Sequence, residues 1–272
     1  MQDARLCVSV VSHGHGGEVR HLLGRLAALR RLPPARVIVT LNLPDADTAG
    51  WLRQTRWPFE LLLLENPAPR GFGANHNRAF AHDSQHGASD AFAVLNPDID
   101  WADGAEPLAA LHAALHPAEP ASPSPDAAPI GLAYPVQTDA AGRLQDHERL
   151  WPTPARLWRR YRPGRRPREV PPGARPDWVN AAFVLLPHAA YAQVGGFDET
   201  YHMYCEDVDL CLRLQAAGWR LSCARDAQVI HGARRASHRH PLHLLWHVQS
   251  LWRLWRSAAW QHMRARERTG AC

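Results

Sequence analysis

The sequence predicts one large α/β domain on a mostly parallel sheet over residues 1–237, followed by a helical basic and aromatic tail over 238–272. Three observations carry this reading. Short apolar runs alternate with stretches of helical leucine spacing, as a mostly parallel sheet demands. Polar and acidic groups stand directly after apolar runs, at the crevice where open α/β sheets bind ligands. The 272 residues are enough to bury a full core without disulfide or metal staples.

Residues 8–11 and 37–41 read as buried strands, and Leu22, Leu23, Leu26 and Leu29 give residues 18–32 a helical stripe between them. Residues 60–64 and 91–95 supply two more strands around a helix at 74–82. The Pro, Ala and Ser-rich stretch 117–129 reads as a surface loop. Residues 130–136 and 178–186 follow as strands, and the Pro/Arg-rich span 162–176 between them as a lid-like loop. In 207–217, apolar Val208, Leu210, Cys211, Leu212 and Leu214 predict a helix ended by Gly218. Residues 227–230 form a last strand, and 242–260 an amphipathic helix with Leu245, Trp252 and Trp255 on one flank.

The formal charge is +5, with eight arginines between positions 156 and 175. Such a surface suits phosphate, anionic lipid or nucleic acid alike, but no aromatic-basic strand platform marks a nucleic-acid reader. Five cysteines without a CxxC spacing point to a reduced, cytoplasmic protein. The first residues lack the apolar core of a signal peptide, and no run of about 18 apolar residues spans a membrane.

Asn96-Pro97-Asp98 follows an apolar strand, which makes Asp98 a candidate ligand for Mg²⁺ or Mn²⁺. Such hard cations take one or two carboxylates and fill their other positions with water and phosphate oxygens. An Asx turn is the plainer account of the same residues. His231 is likewise delivered to a strand end. Glu206 and Asp207 begin a helix, where its dipole favours the ionised acid, although simple capping explains Glu206 equally well. Gly71 and Gly73 precede a helix in Arg70-Gly71-Phe72-Gly73-Ala74-Asn75-His76-Asn77, where backbone N–H groups could approach an anion. His76 at the third small position breaks the dinucleotide fingerprint, and a tight turn capped by Asn75 or Asn77 serves as well.

From about Cys7 to about Gly232 the chain resembles bacterial family-2 glycosyltransferases, especially their rhamnosyltransferase-like branch. The resemblance rests on the Gly71–Asn77 turn, on Leu95-Asn96-Pro97-Asp98 in place of a DxD motif, and most specifically on Gly195-Gly196-Phe197-Asp198-Glu199 followed by Glu206-Asp207-Val208-Asp209-Leu210. It implies a GT-A fold, with Asp98 and His231 on a divalent cation and Asp207, beside Glu206, as general base. It further implies a dTDP- or UDP-linked sugar as donor and a glycan or lipid-linked acceptor. Ser12, Asn42, Gly71, Asn75 and Asn96 are the expected donor contacts. The chain departs from the pattern at Leu41-Asn42, where many relatives have Asp-Asn, and at Asn96, where many have Asp. The missing acid at position 41 makes a non-catalytic nucleotide-sugar or carbohydrate-binding module the rival reading. The tail suits peripheral contact with the inner face of the membrane, packing on the catalytic domain, or a homodimer contact.

Overall fold

The computed structural model describes residues 4–117, 128–161, 169–171, 173–232 and 241–268. The first half winds through β1 (Leu6–Ser12), α1 (Gly16–Ala27), β2 (Arg36–Leu41), α2 (Ala46–Gln54), β3 (Glu60–Glu65), α3 (Phe72–Gln85) and β4 (Ala91–Leu95). The middle holds β5 (Ile99–Trp101), α4 (Pro107–Leu115), β6 (Ile130–Thr138), β7 (Glu148–Arg149), α5 (Pro154–Tyr161) and β8 (Trp178–Val179). The chain continues through β9 (Phe183–Pro187), α6 (His188–Gln193), α7 (Glu206–Ala216), β10 (Arg220–His231), α8 (Pro241–Arg256) and α9 (Ala258–Arg268).

Eight strands form one sheet in the order β3-β2-β1-β4-β9-β6-β10-β5, and β7 and β8 form a separate ribbon. The β3-β2-β1-β4 half is parallel. Strand β9 runs antiparallel between β4 and β6, and β5 pairs antiparallel with β10 at the far edge. This sheet is the expected mostly parallel one. Alternate side chains feed two cores: Leu6, Val8 and Val10 pack with α1 and α4, while Cys7, Ile38 and Phe92 meet the layer that includes α7.

Several elements lie beyond the sequence reading. Helix α2 begins at Asp45, whose carboxylate accepts the Thr48 N–H at 3.0 Å as an N-cap. Helix α4 starts on Pro107 in its first turn, where a missing N–H costs nothing. Strands β5 and β7 are too short to show a period, and the span 178–186 divides into β8 and β9. Most of the loops at 117–129 and 162–176 lies outside the described residues.

The tail is two helices, broken at Ser257, whose Oγ accepts the Trp260 N–H at 3.1 Å. Leu251, Leu254 and Trp260 are buried in the same core as α7. Trp252 and Trp255 do not share a flank: Trp252 is 61% exposed, whereas the Trp255 ring N–H donates to the Pro152 carbonyl at 3.0 Å. The side chain of Leu245 lies outside the described residues.

Candidate active site

The β5–β10 pairing sets His231 opposite Ile99 and therefore beside Asp98 on the preceding turn. The Gly232 N–H donates to the Asp98 carbonyl at 2.9 Å and locks the two segments together. His231 Nε2 stands 3.7 Å from Asp98 Oδ2, with both side chains largely buried. That separation is too long for a hydrogen bond. Two ligand bonds of about 2.1 Å each would reach across it, so one cation can touch both atoms. Burial pushes the His231 pKa down, against the upward pull of Asp98, and favours the neutral imidazole that a metal needs. Among the described residues no group of three or more His, Cys, Asp or Glu is gathered for a metal ion. Asp100 belongs elsewhere: it pairs with His21 and Arg25 and ties β5 to α1.

A second group of candidate residues stands at the start of α7. Tyr204 (φ 73°) and Cys205 (φ 65°) are consecutive non-glycine residues in the left-handed region, a conformation that costs about 1–2 kcal/mol per residue. The turn presents Glu206 and Asp207 at the helix start, where the Val208 N–H donates to Asp207 Oδ1 at 2.8 Å. Glu206 is buried, and its Oε2 has no hydrogen-bond partner among the described residues. Burial, then the adjacent Asp207, pushes the Glu206 carboxyl well above the ordinary range. Burial also raises Asp207, against the Val208 N–H and the charge of Arg149. The space in front of this pair, about 690 Å³ with its open mouth, is walled in part by Arg149, Arg156, Trp178, Tyr204, His247 and Leu251. Its arginines are not free cations: Arg156 faces Asp177, Arg160 bonds Asp146 and Glu169, and Arg149 lies over the Trp178 ring.

One short segment joins the two groups. Gln145 bonds His231, and four residues later Arg149 lines the pocket of Asp207. Four fully extended residues reach at most about 14 Å, so the two backbone points lie within the span of a diphosphate and a sugar.

The structure places Ser12, Asn42 and Asn75, the expected donor contacts, among buried residues whose side chains bond within the protein. Ser12 Oγ accepts the His15 N–H. Asn42 holds the loop at Arg70 from both its ends, and Asn66 donates to both Asn42 and Asn75. The exposed groups that this amide network supports are His13 and Arg70, which the sequence reading missed because their placement depends on it.

Gly71 and Gly73 make room for protein: a Cβ on Gly71 would meet the His202 carbonyl at 2.9 Å, and one on Gly73 would meet Phe197 Cβ at 2.5 Å. His76 is wholly buried, its Nδ1 against Ser9 Oγ at 2.8 Å. Asn96 is half-buried next to Asp98, with its backbone N–H on the Ala182 carbonyl. The Gly195–Glu199 motif is anchored by Asn77, which accepts the Tyr191 hydroxyl and the Phe197 N–H and donates to the Phe197 carbonyl.

No family model matches the chain. It is 29% identical over 265 residues to an N-acetylglucosaminyl-diphospho-decaprenol L-rhamnosyltransferase of Mycobacterium tuberculosis, covering 90% of this chain and 82% of that protein. Over 78 residues it is 40% identical to the rhamnosyltransferase WbbL of Escherichia coli, covering 28% of this chain and 30% of WbbL. Among solved structures it resembles the mannosyltransferase PcManGT of Pyrobaculum calidifontis, in complex with GDP-Man and Mn²⁺, with a TM-score of 0.61 at 16% identity. The match covers 93% of this chain and 65% of the mannosyltransferase, so the chain spans a little under two thirds of that neighbour.

The chain is a glycosyltransferase of the GT-A fold. Glycosyltransferase homologues thus replace the rival of a non-catalytic module. Among the described residues, no helix of this glycosyltransferase is long and apolar enough to cross a membrane.

Proposed function

We propose that this glycosyltransferase moves a sugar, rhamnose by preference, from a dTDP- or UDP-linked donor to a hydroxyl of a lipid-diphosphate-linked glycan, with inversion at the anomeric carbon. The observation that carries the reading is the segment Gln145–Arg149, which holds the Asp98–His231 pair and the Asp207 pocket at its two ends. The acceptor class comes from the mycobacterial relative, whose name specifies a diphospho-decaprenol glycan.

In this reading Asp207 takes the proton of the acceptor hydroxyl as that oxygen attacks the anomeric carbon. Arg149 opposes the effect of burial and helps to keep Asp207 ionised. Asp98 and His231 would hold a divalent cation, Mg²⁺ or Mn²⁺, which when bound would supply positive charge against that growing on the departing diphosphate. Asn96, His13 and Arg70 line the donor side, and the acceptor sugar enters between Trp178 and Tyr204. The enzyme works in the cytoplasm at the inner face of the membrane, in the assembly of a cell-surface glycan. Val248 and Trp252, both exposed, and the neighbouring Arg253 and Arg256 then face anionic lipid.

The test is a panel of nucleotide sugars, assayed for metal-dependent binding and transfer to a synthetic lipid-diphosphate glycan. Asp98→Ala and His231→Ala should each weaken metal-supported donor binding, and chelation should mimic both. Equal donor affinity with and without metal, in the wild type and both variants, would refute the shared site.

A further inference from the structure

We infer that Gln145 is a positioning residue that keeps the His231 proton on Nδ1 and turns the Nε2 lone pair toward Asp98. The inference rests on reading Asp98 and His231 as a cation pair, and it names the residue that makes the histidine able to serve.

The chain beyond β6 reverses in a tight turn at Asp139, whose carboxylate accepts the Ala141 and Arg143 N–H groups at 2.9 and 3.0 Å. The return brings Leu144 opposite Thr138 and lets the Gln145 N–H donate to the Gln137 carbonyl at 2.8 Å. Gln137 is itself fixed by a double amide bond to Asn180, at 2.8 and 3.0 Å. Gln145 is therefore carried on a braced support beside the end of β10.

Among the described residues, both ends of its side-chain amide contact His231. Nε2 donates to the His231 carbonyl at 2.8 Å, and Oε1 meets His231 Nδ1 at 3.2 Å. A carbonyl can only accept, so the NH₂ end of the amide must face the His231 carbonyl. The Oε1 end can also only accept, so Nδ1 must carry the proton. A neutral imidazole has one N–H, which leaves Nε2 with a lone pair aimed at Asp98 Oδ2, 3.7 Å away. With the proton on Nε2 instead, that nitrogen would have no lone pair to offer a cation. Two acceptors turned toward each other in a half-buried cleft make a preorganised demand for a cation. Metal-binding histidines are commonly oriented by a partner on the other ring nitrogen.

Two variants of the full chain separate this role from a merely structural one. Gln145→Met keeps the length and removes both hydrogen bonds. Gln145→Glu loses the donor to the His231 carbonyl but keeps an acceptor for Nδ1. Nitrogen-15 NMR of the imidazoles should place the wild-type His231 proton on Nδ1. Electron paramagnetic resonance titration of Mn²⁺, without donor, should show the Met variant weaker by about 10–100-fold and the Glu variant close to wild type.

A wild-type proton on Nε2, or a Met variant that binds Mn²⁺ like wild type, overturns the inference. So does a Glu variant no better than the Met variant, because the bond to the strand end would then be what matters. A wild-type proton on Nδ1 with no Mn²⁺ binding would support the tautomer assignment and sink the cation reading of the site.

Discussion

Replacing Asp207 with asparagine separates chemistry from folding. The amide keeps the oxygen that accepts the Val208 N–H, so the start of α7 stays in place. It removes the proton acceptor, and losing a general base slows transfer by about 10²–10⁴-fold. At about 1.36 kcal/mol per decade, that raises the barrier by about 3–5 kcal/mol. Donor and cation binding should be unchanged, because Asp98 and His231 lie at the other end of the Gln145–Arg149 segment. Stability should move the opposite way. Glu206 and Asp207 are adjacent carboxyls, both raised by burial, and the substitution removes the charge of one of them. A gain of about 1 kcal/mol corresponds to about 2–4 °C in Tm for a domain of this size. The assay pairs initial rates on a verified acceptor with calorimetric donor binding and thermal unfolding at neutral pH. Wild-type turnover in the variant would remove Asp207 as base, and a lost transition or lost donor binding would mean that its carboxylate is structural.

Glu206→Gln tests the electrostatics. A carboxyl whose folded pKa is raised adds stability below the ordinary carboxylate range and loses it as the pH climbs through neutrality, so wild-type Tm should fall from pH 5 to pH 9 more steeply than that of the variant; equal slopes refute this. At Gly196 (φ 68°) a Cβ would meet Asn77 Oδ1 at 2.3 Å and break bonds that hold the Gly195–Glu199 turn, so Gly196→Ala should lose about 2–4 kcal/mol in denaturant unfolding. Removing residues 241–272 takes Leu251, Leu254 and Trp260 from the core, at about 1.5–3 kcal/mol each, and should leave no cooperative unfolding transition. Trp252→Ser, which changes an exposed ring, should leave Tm unchanged and weaken salt-sensitive sedimentation with anionic vesicles; an unchanged sedimentation would count against membrane contact.

The strands of the parallel half were legible because each is a short apolar run, although helix α2 between β2 and β3 was not. Asp98 and His231 were legible as polar residues at strand ends, although only the β5–β10 pairing brings them together. The apolar spacing put Asp207 at a helix start, and the turn at Tyr204 and Cys205 shows the backbone strain that presents it. Ser12, Asn42 and Asn75 show the ambiguity of small polar residues near a crevice, which can either touch a ligand or hold the loop that does. Here the amides of Asn42, Asn66 and Asn75 bond one another and the Arg70 loop. Gln145 carried no local signal, since a lone glutamine after a turn acquires meaning only from the strand end beside it. The tail was legible as amphipathic, but which of its tryptophans face inward was decided by α7 and by the Pro152 carbonyl.

The edge pairing of β5 with β10 also bears on how the protein survives in a cell. Asp98 is synthesised well before its partner His231, and the two meet only when the last strand of the sheet docks. If Asp98 and His231 share a cation as proposed, a chain still on the ribosome, or one in which β10 has peeled away, offers half a binding site. Donor and metal therefore select the fully closed sheet, and by mass action their binding stabilises the native chain by RT ln(1 + [L]/Kd), about 2.7 kcal/mol at a hundredfold excess over Kd. Protease resistance of this enzyme should consequently track the supply of nucleotide sugar, and its turnover should quicken when that supply runs low.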